Sequence, residues 1–280
     1  MTTRLTPLRA ILLLGVPIAC LVVLFLVPIG NLLLRSILIP DPSLAKFEQV
    51  LANDTYLYVL WLTVEISASV AAAATLIGYP LAYYLATRRN LLTRLLMLFV
   101  VVPYFTSSLV RTYAWMVLLG NEGVINTSLR DLAVIDGSLP LMYNRFGVLV
   151  GMTYVLLPYT ILTIYAVLRG VDFRLARAAE SLGASARQAF LYVVLPLSMP
   201  GVAGGALLVF ILALGFFITP ALMGGDGDMM IAQVIDLQIE TNFDWAMAAA
   251  ISVVLLAIVM VLFLIYERMV GFSRLLESKA

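Results

Sequence analysis

The chain has 280 residues, of which 63% are hydrophobic and 12% charged, with a net charge of +1 and a mean hydropathy of +1.06. A soluble domain usually carries about 25% charged residues, so a water-exposed globular fold is excluded, as is a basic surface for nucleic acid. Histidine is absent, which removes imidazole acid–base chemistry, haem ligation and the usual zinc sites. The single cysteine, Cys20, permits neither an intrachain disulfide nor a thiolate cluster. The pattern is that of an integral membrane protein.

A hydrocarbon core of about 30 Å needs roughly 20 apolar residues as helix. Six stretches meet that requirement in chain order. The first, Ala10–Leu34, follows Arg4 and Arg9 in the manner of a signal peptide, but it is too long for such a segment and reads as an uncleaved span. The second, Tyr58–Ala86, is interrupted only by Glu65, and the third, Leu95–Leu119, only by Arg111. Phe146–Leu168, Ala189–Gly225 and Trp245–Tyr266 are uncharged. Ten-residue alternating segments are missing, which argues against a β-barrel. The expected fold is all-α, a polytopic membrane protein with six transmembrane helices. Gly201, Gly204 and Gly205, with Ala203 and Ala206, give span five a small-residue face for close helix packing. Gly224-Gly225-Asp226-Gly227-Asp228 is too short and too poor in ligands for a calcium loop and reads as a turn.

Lys and Arg set the expected orientation. With both termini inside, the cytoplasmic segments hold twelve of the 17 basic residues, while eleven of the 16 acidic residues lie outside. A negative outer face concentrates cations. It equally suits a hydrated loop surface or a docking face for another protein.

Glu65 and Arg111 are the formal charges well inside the spans, and such groups are functional or paired by default. Counting residues from the outer ends of their spans puts both at similar depth, so an ion pair between spans two and three is expected. The alternatives are a contact of Glu65 with a cationic substrate, or a role for Arg111 at an outer gate. The aromatics Tyr113, Trp115, Tyr154, Tyr159, Phe216 and Phe217 suit either cation–π walls for an ammonium ligand or ordinary packing.

The longest cytoplasmic connection runs from Arg169 to Phe190, between spans four and five. It reads as two short helices, the first ended at Gly183, where glycine takes a left-handed cap without penalty. Leu175, Ala178, Ala179 and Leu182 recur at helical spacing on one face. Such a helix lies on the bilayer surface or meets a partner.

Ala178-Ala179, then Gly183, then Val193 and Leu195-Pro196 resemble the EAA loop of binding-protein-dependent ABC importers. The family pattern is Glu-Ala-Ala, three residues, Gly, nine residues, an aliphatic residue, one residue and Leu-Pro. Arg177 departs from it by occupying the glutamate position, with Glu180 three residues later. Segments 109–115, 120–126, 214–225 and 230–232 are similar to the putrescine/spermidine branch of these permeases, which also includes importers of opines and other small nitrogenous solutes. The resemblance implies a type I (MetI-like) permease fold. It divides the chain into a peripheral first helix and outer loop (1–57), a five-helix core (58–268) with the coupling loop at about 169–196, and a cytoplasmic tail (269–280). It also implies that Arg177, Ala178, Ala179, Glu180, Leu182, Gly183, Leu195 and Pro196 form the ATPase-coupling loop. Glu65, Arg111, Tyr113, Trp115, Phe216 and Phe217 are candidates for the translocation path or gate.

No G-x-x-x-x-G-K-[ST] pattern occurs, so this chain lacks that route to ATP binding. The resemblance implies two partner ATP-binding subunits that hold ATP and Mg, a second permease, an extracytoplasmic binding protein and a small-molecule substrate. It implies no cofactor or metal in this chain, and a site in the bacterial inner membrane. A stand-alone secondary transporter or channel is the alternative, and it would depend on Glu65 as its one intramembrane carboxylate. A membrane enzyme is the third reading, with few catalytic groups to draw on.

Overall fold

The computed structural model describes residue 15 and residues 17–38 and 42–277, with side chains as far as Arg268. Arg4, Arg9, the first residues of span one, Asp41 and Lys279 lie outside the described residues. Among the described residues all regular structure is helical.

Helix α1 spans Pro17–Leu38, and α2 spans Ala45–Ala52. Helix α3, Asp54–Thr87, is the second span. The third span is broken. It consists of α4, Leu91–Phe105, and a second arm made of α5, Ser108–Leu119, and α6, Val124–Asp131, bent from α4 by 109°. Helix α7 is Arg145–Leu168, α8 is Arg174–Ser181, α9 is Ala186–Leu214 and α10 is Ile218–Met223. Helix α11 is Ile231–Glu240 and α12 is Trp245–Glu277. Among the described residues, five helices are long and apolar enough to cross a membrane, and six if the bent pair counts as one span.

The break in span three corrects the expectation of one run over Leu95–Leu119. Pro103 carries no amide hydrogen, so the ladder loses a bond there. The Thr106 hydroxyl then donates to the Pro103 carbonyl, and the Ser107 hydroxyl accepts from the Leu109 amide to start a new helix. Local polar side chains thus take over from the ladder where lipid offers no substitute. The fifth span also ends earlier than Gly225: α9 stops at Leu214, and Phe216-Phe217 lead into the separate helix α10.

The chain falls into two compact units, residues 1–57 with 234–258, and residues 58–233 with 259–280. In the first, Lys46 pairs with Asp244, and the Tyr56 hydroxyl accepts from the Gln238 amide at 3.1 Å. Burial raises the Asp244 carboxyl, but the hydrogen bonds from Lys46 and from the Met247 and Ala246 amides outweigh it and hold the group below its ordinary value.

The second unit is built on α3, α7 and α9. Leu62, Ile66, Val70 and Ala74 recur every fourth residue along α3 and pack with Val148, Met152 and Leu156 of α7 and with Val209 and Ala213 of α9. A second cluster joins Ala82 and Leu85 of α3 to Ile161, Ile164 and Leu168 of α7, Val100 of α4 and Val194 of α9. Here Tyr83 stands edge-on to Phe173 and Phe190, with ring centroids 6.2 and 5.4 Å apart, and Tyr79 stands edge-on to Phe190 at 6.1 Å. The Tyr79 hydroxyl also shares a 2.9 Å hydrogen bond with Ser198 of α9. Opposite faces carry exposed Leu76, Phe99 and Val117, as lipid contact requires.

The small-residue face of α9 meets α7 backbone to side chain. A β-carbon at Gly201 would lie 2.8 Å from the Val167 β-carbon, an atom that cannot swing aside. Overpacking of this kind costs about 1–3 kcal/mol. Gly201→Leu should therefore lower the yield of monodisperse protein extracted from membranes. A wild-type elution profile and thermal midpoint for that variant would show that the α7–α9 contact is looser than described.

Candidate functional site

Two regions of the second unit gather chemistry. The first is the connection between α7 and α9. Arg174–Ser181 forms a two-turn helix, and Gly183 follows it with φ of +96°. The Gly183 amide donates to the Glu180 carbonyl at 3.0 Å and the Ala184 amide donates to the Ala179 carbonyl at 3.1 Å. This is the paired pattern of a Schellman cap, which needs a left-handed residue where glycine is least strained. Ser185 then opens α9 with a reciprocal capping box to Gln188. Phe190–Val194 forms a wider π-type turn just before Pro196, whose missing amide hydrogen the irregular turn accommodates.

Helix α8 rests on the second core cluster through Phe173 and Ala176, with Ala179 half-buried. Its other flank is free. Leu182 is 90% exposed and Leu175 51%, with Ala178 exposed between them. Two leucines held outward on a capped helix form a small exposed apolar surface. Arg177 and Glu180 are both exposed and lie on the wall of a neighbouring cavity. Leu195 is half-buried and Pro196 exposed, in the first turns of α9 beyond the π-type turn.

The second region concerns the intramembrane charges, and here the expected pair does not form. Glu65 Oε1 accepts from Arg145 Nη1 at 2.7 Å, and Arg145 Nε lies 3.6 Å from Asp228 Oδ1. Arg145 is the first residue of α7, so this three-residue cluster marks the N-terminal end of span four. Asp228 also accepts from the Gly225 amide, so the glycine-rich segment is a turn that aims a carboxylate at Arg145.

Arg111 instead donates through Nη1 to the Val155 carbonyl at 3.3 Å, and its Nε is buried without a hydrogen-bond partner. Val155 is ten residues along α7 from Arg145, about 15 Å at 1.5 Å per residue and near the bilayer centre. The two charges lie at different depths because the arm carrying Arg111 is turned from α4, so residue counting does not measure depth there. The carbonyl it reaches adjoins the turn disturbed by Pro158, which offers no amide to the Tyr154 carbonyl.

The aromatic candidates do not line one wall. Trp115 stands edge-on to Tyr154 at 5.4 Å, and both border an apolar groove of about 390 Å³ with Ala73, Ile77 and Phe146. Tyr113, two residues from Trp115, faces a separate cavity of about 390 Å³ beside Asn121 and Tyr143. Tyr159 pairs with Tyr104 at 5.2 Å, Phe216 packs on the first core cluster and Phe217 is 39% exposed. Sequence reading missed the two polar ties between α5 and α10 and between α3 and α11. Thr112 and Thr219 share a buried 3.0 Å hydrogen bond, and the Ile231 amide donates to the Thr63 hydroxyl at 2.9 Å. All three threonines are buried within apolar sequence, a signal that each hydroxyl needs a partner.

The model of the binding-protein-dependent transport system inner membrane component family matches residues 74–272, a range that takes in α8 and its glycine cap. This chain belongs to that family. As a permease it is 35% identical over 245 residues to the spermidine/putrescine transport system permease protein PotB of Escherichia coli (strain K12), covering 85% of this chain and 88% of that one. Identity to PotB of Haemophilus influenzae is 34% over 218 residues, 78% of this chain and 76% of the relative. Among solved structures, a bacterial ABC transporter involved in import of the polysaccharide alginate superposes with a TM-score of 0.68 at 15% identity, over 94% of each chain. The MetNI methionine ABC transporter in inward-facing form gives a TM-score of 0.58 at 16% identity, over 78% of this chain and 98% of that one. The permease is thus a multi-pass subunit of an ABC importer with the type I, MetI-like architecture.

The charge assignment is testable by double-mutant cycles on the thermal stability of the detergent-solubilised permease. Glu65 and Arg145 are 44% and 41% exposed, so their pair should show a coupling of about 0.2–1 kcal/mol in Glu65→Gln/Arg145→Gln. Glu65→Gln and Arg111→Gln should add within about 0.5 kcal/mol. Coupling in the second cycle and none in the first would reverse the assignment.

Proposed function

We propose that this permease moves polyamines, such as putrescine and spermidine, or closely related cationic solutes into the cytoplasm, driven by ATP hydrolysed on separate subunits. The observation that carries the energetic part of this reading is α8. A short helix anchored on the core by one flank, with Leu175, Ala178 and Leu182 outward on the other, is suited to seat in a cleft of an ATPase subunit. Arg177, Ala179, Glu180, Gly183, Leu195 and Pro196 complete the coupling loop. Arg177 puts a cation where the family carries glutamate, on the cavity-lining flank of α8 rather than beside Leu175 and Leu182. The ATPases bind ATP and Mg, and their closure drives the spans between inward- and outward-facing arrangements. A second permease completes the path, and an extracytoplasmic binding protein delivers the solute. The termini and α8 face the cytoplasm, in keeping with the distribution of arginine.

The polyamine assignment is supported by the identity to PotB and by the excess of carboxylates on the outer loops. ATP as the energy source is favoured over a proton-coupled mechanism because Glu65, the carboxylate a proton relay would use, is engaged by Arg145. Expression with the partner subunits in cells lacking other polyamine uptake should give saturable, ATP-dependent accumulation of labelled putrescine or spermidine. Accumulation of a neutral or anionic solute in their place would exclude the polyamine reading while leaving the importer assignment intact.

A non-glycine residue in the left-handed region costs about 1–2 kcal/mol, so Gly183→Val should lower transport about tenfold with normal membrane insertion. Wild-type uptake and solute-stimulated ATPase activity in that variant would count against α8 as the coupling element. Topology has its own check: a cysteine at Asp136 should react with impermeant thiol reagents from outside, and one at Ser181 should not. The opposite labelling would place α8 on the wrong side for an ATPase.

A further inference from the structure

On the flank of α8 away from Leu175 and Leu182 lies a cavity of about 520 Å³ between the cytoplasmic end of α3 and the start of the coupling loop. Three guanidinium groups line it: Arg89, two residues past α3, Arg169, the first residue past α7, and Arg177 on α8. Glu180 shares the wall. Among the described residues, though, no carboxylate lies within ion-pair distance of any of the three arginines. The lining charge is therefore +2 and uncompensated. Three exposed arginines lining one cavity make a local excess of positive charge, which an anion held among them offsets. Planar guanidinium groups match a phosphate oxygen pair by forked hydrogen bonds. Tyr83 and Thr87 add hydroxyl groups to the lining, beside Ala86, Val171, Phe173 and Ala176.

We infer that this cavity is a phosphate-group site, distinct from the substrate path and from the ATPase-facing stripe of α8. Its height in the membrane names the nearest source. Arg169 and Arg89 lie one and two residues past the ends of their spans, at the level of the inner-leaflet headgroups, where anionic phospholipid is attracted to basic clusters. A phosphodiester held there touches α3, the α7 end and α8 at once, so occupancy bears on the position of the coupling helix. The same chemistry admits free phosphate from the cytoplasm.

The site can be tested without reference to substrate, on the permease assembled with its partners. Delipidated complex is offered phosphatidylglycerol or phosphatidylcholine, and retained lipid is counted by native mass spectrometry. In parallel, binding of inorganic phosphate is measured by equilibrium dialysis. Arg89→Gln/Arg169→Gln removes two donors without touching α8. Selective retention of phosphatidylglycerol, falling about tenfold in the variant, supports a headgroup as occupant. Phosphate binding lost in the variant, with no lipid selectivity, supports a soluble phosphate. Should the glutamine variant fail to insert for want of topogenic charge, Arg89→Lys/Arg169→Lys keeps the charge and removes the forks. It should still weaken retention about threefold. Equal retention of both lipids with no phosphate binding, or binding unchanged in both variants, would overturn the site.

Discussion

A peptide group in hydrocarbon has no water to bond, and the rest of this fold follows from how each interruption of a helix is made good. Several interruptions of the spans have a polar side chain beside them. Thr106 and Ser107 close and reopen the chain after Pro103. Arg111 reaches a carbonyl beside the turn that Pro158 disturbs. Thr63 accepts the amide that starts α11, and Thr112 of α5 meets Thr219 in the first turn of α10. Left unpaired, such groups cost several kcal/mol each in a bilayer. The irregular segments are therefore fixed features, and the candidate path residues are found beside them.

The charges divide along the same line. Glu65, Arg145 and Asp228 gather at the N-terminal end of span four, where partial exposure makes their attraction modest and their hydration cheap. Arg111 sits far deeper, holding one long hydrogen bond and leaving Nε without a partner. A guanidinium in that position is expensive on any scale of membrane insertion. The bond it makes ties the turned arm of span three to span four, which gives it a positioning role irrespective of what passes nearby.

Much of this was legible in the residues. Apolar runs of about 20 residues locate spans because a helix must satisfy its own backbone in lipid, and Gly183 announces its cap because few other residues take that backbone angle at so little cost. The small face of span five reads directly as close packing, which Gly201 against Val167 shows. Depth was not legible. Counting residues from the end of span three presumes a straight helix, and Pro103-Tyr104-Phe105-Thr106-Ser107 turns it by 109°. The partner of Glu65 was hidden for a similar reason: Arg145 and Asp228 read as loop residues, and only folding brings residues 80 and 163 positions away from Glu65 to it. Aromatic residues two apart, such as Tyr113 and Trp115, face different cavities, which helical periodicity alone foretells.

The stack of rings beneath α8 has a mechanical meaning. Edge-on contacts from Phe173 to Tyr83, from Tyr83 to Phe190 and from Phe190 to Tyr79 leave little slack, since rings at van der Waals distance resist both compression and shear. A force applied to α8 is thus borne by a stiff strut rather than absorbed in the loop. The strut has two feet, one on α3 through Tyr79 and Tyr83 and one on α9 through Phe190, cross-braced by the Tyr79–Ser198 bond. Two spans share any load placed on one two-turn helix.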